Sequence, residues 1–542
     1  MNVARLWRTT RHLRFKQIYG RAWFKIVIPR PDCSPPPALR RTSGDWRLPA
    51  CREPSLTGKD VFFFLNEEGS LAKNGWDDPS KPKLWRYNQH YFDDLNATGA
   101  SAKVDWHLSI ITNWIEKNLP GKGTGWEPYP TSLRIVNWVK WSLAGNSLPH
   151  TAVRSLATQA RWLMRRLEWH LMGNHLFANA KALVYAGLYF AGPEAEKWLQ
   201  RGLYILEQEI REQILPDGGQ FELSPMYHAL AIEDILDLIN VATAFGRDDL
   251  ASAWRLYVPL MVRWLRAMSH PDSRISFFND AAFGIAPANS ELEKYAERLG
   301  IEVCTSVEGL VHLESSGYLR MDAYDAVVIA DLARIGPDYL PGHAHADTLS
   351  FEMSLYGRRL IVNSGTSVYG AIIERQRQRS TAAHSTVALD GQNSSEVWSS
   401  FRVGRRAYPR SVALRPTDCY LGASAAHNGY VHLSGKPIHR RDWRLNRGAL
   451  NVTDRVTGSG KRRIEARFHL GANVGASHSS DGRVLLTDDC SNPIATLTAE
   501  GGTLSLSPTS WHPEFGKAVE TQCVTVTAET DLPHEMNLKI NW

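Results

Sequence analysis

The chain has 542 residues, 43% of them hydrophobic and 22% charged, a balance that fits a folded globular protein and excludes a disordered one. That length is more than one ordinary core serves, so two large domains are expected. A formal net charge of +6 and a pI of about 8.9 favour an acidic partner. No zinc finger, aromatic RNA-binding motif or basic heptad region accompanies the charge, which sets nucleic acid aside.

Residues 1–60 read as an N-terminal extension. It is basic (Arg5, Arg8, Arg11, Arg14, Lys16) but has no apolar stretch long enough for a secretory signal, which gives cytoplasmic residence as the expectation, with export from another start site as the alternative. Nothing along the chain reaches the length of a transmembrane helix. An amphipathic surface anchor is a further reading of residues 1–30. The segment PDCSPPPALRRTSG at 31–44 is a linker or an extended wrap, because a proline run cannot be helical. The six cysteines, Cys33, Cys51, Cys304, Cys419, Cys490 and Cys523, have no ligand-like spacing and imply neither a disulfide framework nor a thiolate metal site.

From 61 to 305 helical periodicity dominates. Val153, Leu156, Ala157, Ala160, Leu163, Met164 and Leu167 follow the i, i+3, i+4, i+7 pattern, and similar stripes occur at 108–118, 176–190, 198–215, 228–245 and 250–268. A layered or toroidal all-α domain follows, and most of the 19 tryptophans are expected to fill its core, some being candidates for sugar-stacking platforms. From 306 to 542 the character changes. Leu349, Phe351, Met353 and Leu355 alternate with polar residues, and short β-prone segments recur at 325–333, 359–363, 384–390, 410–414, 464–470, 483–487, 494–498 and 502–507. These predict an antiparallel β-sandwich, with a cleft where the two domains meet.

Within this frame the chemistry concentrates at Gly342-His343-Ala344-His345-Ala346-Asp347, followed by Asn363 and His384. On a strand, His343, His345 and Asp347 would share one face. Imidazole with carboxamide or carboxylate suits zinc or a similar divalent ion, and equally suits proton transfer to an acidic substrate. Asn174-His175 follows the break at Gly173, with Asn174 placed to cap a helix and the competing reading a packed histidine. Ser224-Pro225 predicts a second helix start that puts Tyr227 in its first turn, where His228 is a rival for any chemical role. Arg134 and Asn137 fall on one face of a helix after Tyr129 and are candidate carboxylate binders, against the alternative of a solvated face over a Trp core. Arg375, Arg377, Arg379, Arg402, Arg405 and Arg406 bracket His384 and suggest a track for a polyanion.

Taken together, Trp126–Trp141, Gly173–Asn179, Glu222–His228, Gly342–Gly365 and Ser380–Gly391 resemble the heparinase II/III superfamily of polysaccharide lyases, which includes alginate and glycosaminoglycan lyases. The stretch Trp85–Phe92 is similar to a variant found in bacterial exopolysaccharide gene clusters. The resemblance implies an incomplete (α/α) toroid followed by an antiparallel β-sandwich, and β-elimination at a uronic acid. In that chemistry the uronate carboxylate is neutralised, a base removes the C5 proton and the C4–O bond breaks. It further implies Asn174 and His343 as neutralising groups, Tyr227 as acid and possible base, and His175 as the other base. Tyr129, Arg134, Asn137, Glu222 and Arg405 are candidate substrate binders, and the resemblance implies His345, Asn363 and His384 around a divalent metal, zinc in the first instance. One departure stands out: Asn363 occupies a position where the family commonly has Asp, and a carboxamide is the weaker ligand. Two rival functions are a toroidal glycoside hydrolase, pairing Glu222 with Glu127 or Asp217, and a polysaccharide-binding protein without turnover.

Overall fold

The computed structural model describes residues 3–303 and 306–542; the expected domain boundary at 305 and Cys304 lie outside the described residues. Two helices, Val3–Thr10 and Phe15–Ile26, come first. An extended run then wraps the helical body: Arg40 N donates to Tyr189 O and Gly44 N to Ala244 O, while Arg161 holds the carbonyls of Ser34 and Pro35. A small antiparallel sheet at 56–70 leads into the main helical array.

That array includes Val104–Lys117, Pro128–Leu143, His150–Arg165, Gly173–Tyr189, Pro193–Gln213 and Pro225–Ala244, which form an incomplete α/α toroid. Gly187 permits the closest helix contact, because a Cβ there would sit 2.5 Å from Leu199 N. The stripe at 250–268 is two helices, Asp248–Arg255 and Val258–Ala267, since Pro259 at the start of the second cannot donate back to the first. No helix of the described residues is long and apolar enough to cross a membrane.

The C-terminal half is two large antiparallel sheets, one of nine strands and one of eight. Their facing sides form one core, with Phe351, Met353 and Phe468 against Trp443, Leu445 and Leu538. The outer side of the nine-stranded sheet meets the helical domain through Leu223, Trp264, Met268, Phe278, Tyr318 and Ile329. This explains a departure from the simple alternation at 349–355. All of Phe351–Leu355 is buried, because the polar side faces the helical domain, where His270 bonds both Glu352 (2.8 Å) and Ser354 (2.7 Å).

Candidate active site

A cleft of about 2490 Å³ lies between the toroid and the sheets, lined by Tyr129, Asn174, His175, Glu222, Tyr227 and His343, among others. Each domain supplies its share through a helix start or a loop at a strand end.

On the toroid side, Ser224 caps the helix Pro225–Ala244 by accepting from Tyr227 N at 3.2 Å, as expected, and donates its own hydroxyl to the carbonyl of Asp280. One serine thus fixes both Tyr227 and the residue that organises the histidines. The other helix begins at Gly173, with Met172 rather than Asn174 in the cap position. Gly173 has φ +53°, and a Cβ there would strike Leu340 at 2.4 Å, so this turn presses against the histidine loop as only glycine allows. Asn174 is left facing the cleft; its backbone N–H points at Glu222 Oε1, 3.4 Å away, and its carboxamide makes no hydrogen bond among the described residues. His175 packs on Tyr129 with ring centroids 4.4 Å apart, and its Nδ1 is 3.3 Å from Glu168 Oε2.

On the sheet side, residues 341–350 form an irregular loop, not the strand that the i, i+2, i+4 spacing suggested. Its backbone is held by side chains instead of a neighbouring strand: His345 N donates to Asn279 Oδ1 at 2.9 Å, while Asp347 accepts from Asn279 N at 3.1 Å. The histidines still converge, on Asp280. That carboxylate takes His343 Nδ1 and His345 Nε2, each at 2.9 Å, and both ends of the Arg375 guanidinium. Burial alone would push Asp280 up; Arg375 and the two imidazoles outweigh it and hold the carboxyl well below its ordinary range. His343 reaches toward Glu222 with its other nitrogen, 3.5 Å away, and stacks on Tyr227 at 3.9 Å. Tyr227 Oη meets Tyr369 Oη at 3.0 Å.

Two candidate proton-transfer groups are shifted from their ordinary values. Burial, then the neighbouring Tyr369 and Asp280, raises the Tyr227 phenol well above its ordinary value, so it keeps its proton and can give it up only to a strong base. Burial opposes charging His175, but Glu168 outweighs it and the imidazole is raised above its ordinary value. His228 drops out as a rival: it is buried between Gln220 N and Met261 O, and burial lowers it to about 4.

Several expected substrate binders have structural work instead. Arg134 is fully buried, bonded to Gln159 and the His90 carbonyl and stacked 3.8 Å over Trp114; it serves the Trp core. Asn137 touches the cleft wall, but its amide nitrogen is committed to Tyr91 O and Asp93. Arg405 is outside the cleft lining, its backbone bonded to Glu396. Of the arginines around His384, Arg402 is exposed on the cleft wall, but the others do not continue it as a polyanion track there. Arg375 and Arg379 are fully buried, the latter gripping the carbonyls of Ala344 and Ser400, so they brace the histidine loop. Of the hydrolase carboxylates, Asp217 is bound to Ser316 and Glu127 to Lys83 at 2.9 Å.

The metal reading has a direct test in hydrogen-bond roles. His384 Nδ1 donates to Ser380 O at 2.7 Å and His345 Nε2 donates to Asp280, which leaves His345 Nδ1 and His384 Nε2 as lone pairs facing each other at 3.0 Å. That pair fits a cation that prefers nitrogen ligands. Asn363 Oδ1 already accepts from Ser385 N at 3.0 Å, and among the described residues no third His, Cys, Asp or Glu completes the pair.

Comparison with known proteins agrees with this architecture. The family model described as Heparinase II/III N-terminus matches residues 107–298, and the model described as Heparinase II/III-like, C-terminal matches 305–542. The chain belongs to the heparinase II/III superfamily. A heparin-sulfate lyase of Pedobacter heparinus is 27% identical over 332 residues, covering 55% of this chain and 50% of that protein. A heparin-sulfate lyase of Bacteroides stercoris is 28% identical over 242 residues, 41% of this chain and 36% of that one. The chain therefore spans half or less of the length of these curated relatives. The solved structure of heparinase III superposes with a TM-score of 0.64 at 18% identity, covering 86% of this chain and 77% of that one, a likeness of fold.

Proposed function

We propose that this heparinase II/III superfamily member is a polysaccharide lyase that cleaves an acidic, uronate-containing polymer by β-elimination. The observation that carries the reading is that one cleft brings together His175, whose imidazole Glu168 raises above its ordinary value, and Tyr227, a phenol that holds its proton. A base works best near the ambient pH, and an acid must still be protonated when the leaving oxygen departs. Asn174 and His343 flank Glu222, where they can donate to the uronate carboxylate and make its C5 proton removable. His175 then takes that proton and Tyr227 supplies one to the departing C4 oxygen. Asp280 orients His343 through Nδ1, which leaves Nε2 for the substrate carboxylate, and Tyr369 orients Tyr227.

A divalent metal, zinc in the first instance, is part of the proposal. His345 and His384 would hold it, with Asn363 as a weak third ligand; a bound ion would tie the 341–350 loop to the segment that carries His384.

The charge of the cleft bears on substrate class. Its buried cations are spent on interior carboxylates: Lys140 and Lys181 bind Asp237 at 3.0 and 2.6 Å, and Arg52 binds Glu233, which leaves Arg21, Lys25 and Arg402 among its exposed cations. Such a cleft suits a polymer charged by carboxylate, as in bacterial exopolysaccharides, better than one densely sulfated. The test is a panel of alginate, hyaluronan, chondroitin, heparan and bacterial exopolysaccharides, read by ultraviolet absorbance of the unsaturated uronate. Absorbance rising first on an unsulfated polymer supports the whole reading. Turnover confined to sulfated chains overturns the charge argument, and new reducing ends without absorbance overturn the lyase.

A further inference from the structure

We infer that the N-terminal helix pair is a docking surface for an anionic lipid membrane, holding the cleft beside it. The helix Phe15–Ile26 has two unlike sides. Gln17, Gly20 and Phe24 face the body: Gln17 Nε2 donates to Tyr339 O, Gly20 lies against His170 and Arg166 covers the Phe24 ring. The opposite side carries Phe15, Ile18, Tyr19, Trp23 and Ile26, each more than half exposed and two of them 79% exposed. Their spacing makes one continuous stripe, with Phe15, Tyr19 and Trp23 stacked along it. Val3 and Trp7, one turn apart on the preceding helix, are 81% and 64% exposed.

Charge selects the occupant. From Val3 to Pro31 the chain carries eight Lys or Arg and no Asp or Glu. Arg8 and Arg14 are anchored to Glu396 and Glu212 and fasten the helices to the body. Lys16, Arg21 and Lys25 are exposed; at 100° per residue Lys16 borders one side of the stripe and Lys25 the other. An apolar stripe rich in aromatic rings and bordered by cations is the pattern of a helix lying in a lipid interface, with rings among the acyl chains and ammonium groups at phosphate level. A protein partner or a second copy would have to offer an acidic rim around an apolar groove.

The same helix presents Gln17, Arg21 and Lys25 to the cleft, so docking would bring the opening close to the lipid surface. A lyase so placed would meet polymer as it leaves or enters the membrane. This consequence rests on the proposed activity; the docking itself does not.

The test is flotation of the full chain with vesicles of phosphatidylcholine alone and of phosphatidylcholine with phosphatidylglycerol. The expected result is binding to the anionic vesicles, weaker as salt is raised, with a blue shift of tryptophan emission. Ile18→Ser/Trp23→Ser/Ile26→Ser should reduce partitioning by about tenfold or more and leave turnover of soluble polymer unchanged. No binding to anionic vesicles, equal binding to neutral ones, or the same binding by the triple variant would overturn the inference. A concentration-dependent dimer abolished by the triple substitution, without lipid binding, would assign the stripe to a second copy and overturn it equally.

Discussion

If Glu168 sets His175 as a base, Glu168→Gln should move the acidic limb of the pH profile. The carboxylate lies 3.3 Å from Nδ1, and the His175 side chain is 28% exposed. Two unit charges at that distance interact by about 1.3 kcal/mol at the dielectric of water and about 5 kcal/mol at an effective value of about 20. Partial exposure places the pair toward the lower end, about 1.5–3 kcal/mol. The sign follows from the role. Glu168 favours the protonated ring, elimination needs the neutral one, so activity falls as pH drops through the raised value. Glutamine removes the charge and keeps the shape, and its side chain can still meet the Asn179 amide that bonds Glu168 at 3.1 Å. The assay is kcat/KM against pH, followed by absorbance of the unsaturated product; its acidic limb reports the free enzyme. A limb displaced toward lower pH supports the assignment. An active variant whose limb stays in place would refute it.

Tyr227→Phe should lower kcat by about 10²–10⁴-fold with an unchanged circular dichroism spectrum; near-normal turnover would remove Tyr227 from the chemistry. Asp280→Asn leaves Arg375 buried without its counter-charge and should cost about 3–5 kcal/mol in a denaturant titration, along with the alignment of His343. Arg134→Lys should lower Tm through loss of about 1–3 kcal/mol of charged hydrogen bonding while KM stays constant, and a raised KM at constant Tm would assign Arg134 to the substrate instead of the Trp core. Asn363→Asp should increase the metal retained after dialysis, measured by elemental analysis, because a carboxylate ligates better than a carboxamide; unchanged content would count against the His345–His384 site.

Much of the architecture is legible because it rests on local periodicity. The stripe at 149–169 gives the helix His150–Arg165 directly, and Ser224-Pro225 marks the start that positions Tyr227. Strands such as Ile438–Asn446 escape notice because their buried side is partly polar: His439 and Arg441 point inward and meet Asp454. The same reason hides the hub of the site. Asp280 sits in a plain FFNDAAF segment, and its partners His343, His345 and Arg375 are 63 to 95 residues away. Glu168 and Tyr369 are equally silent, since each acquires a role only from the side chain the fold brings to it. Arginines mislead in the opposite sense, because a clustered guanidinium reads as surface charge whether it meets solvent or, like Arg375 and Arg379, supports a loop from within.

β-Elimination breaks the C4–O bond without water entering it, and oxygen isotope labelling separates this from hydrolysis. Polymer that is cleaved in the panel is digested in H₂¹⁸O and the new chain ends are weighed by mass spectrometry. Elimination gives unsaturated ends that carry no ¹⁸O and that form far more slowly with Tyr227→Phe. Saturated non-reducing ends, paired with new reducing ends that carry one ¹⁸O at the anomeric carbon, would show hydrolysis and contradict it.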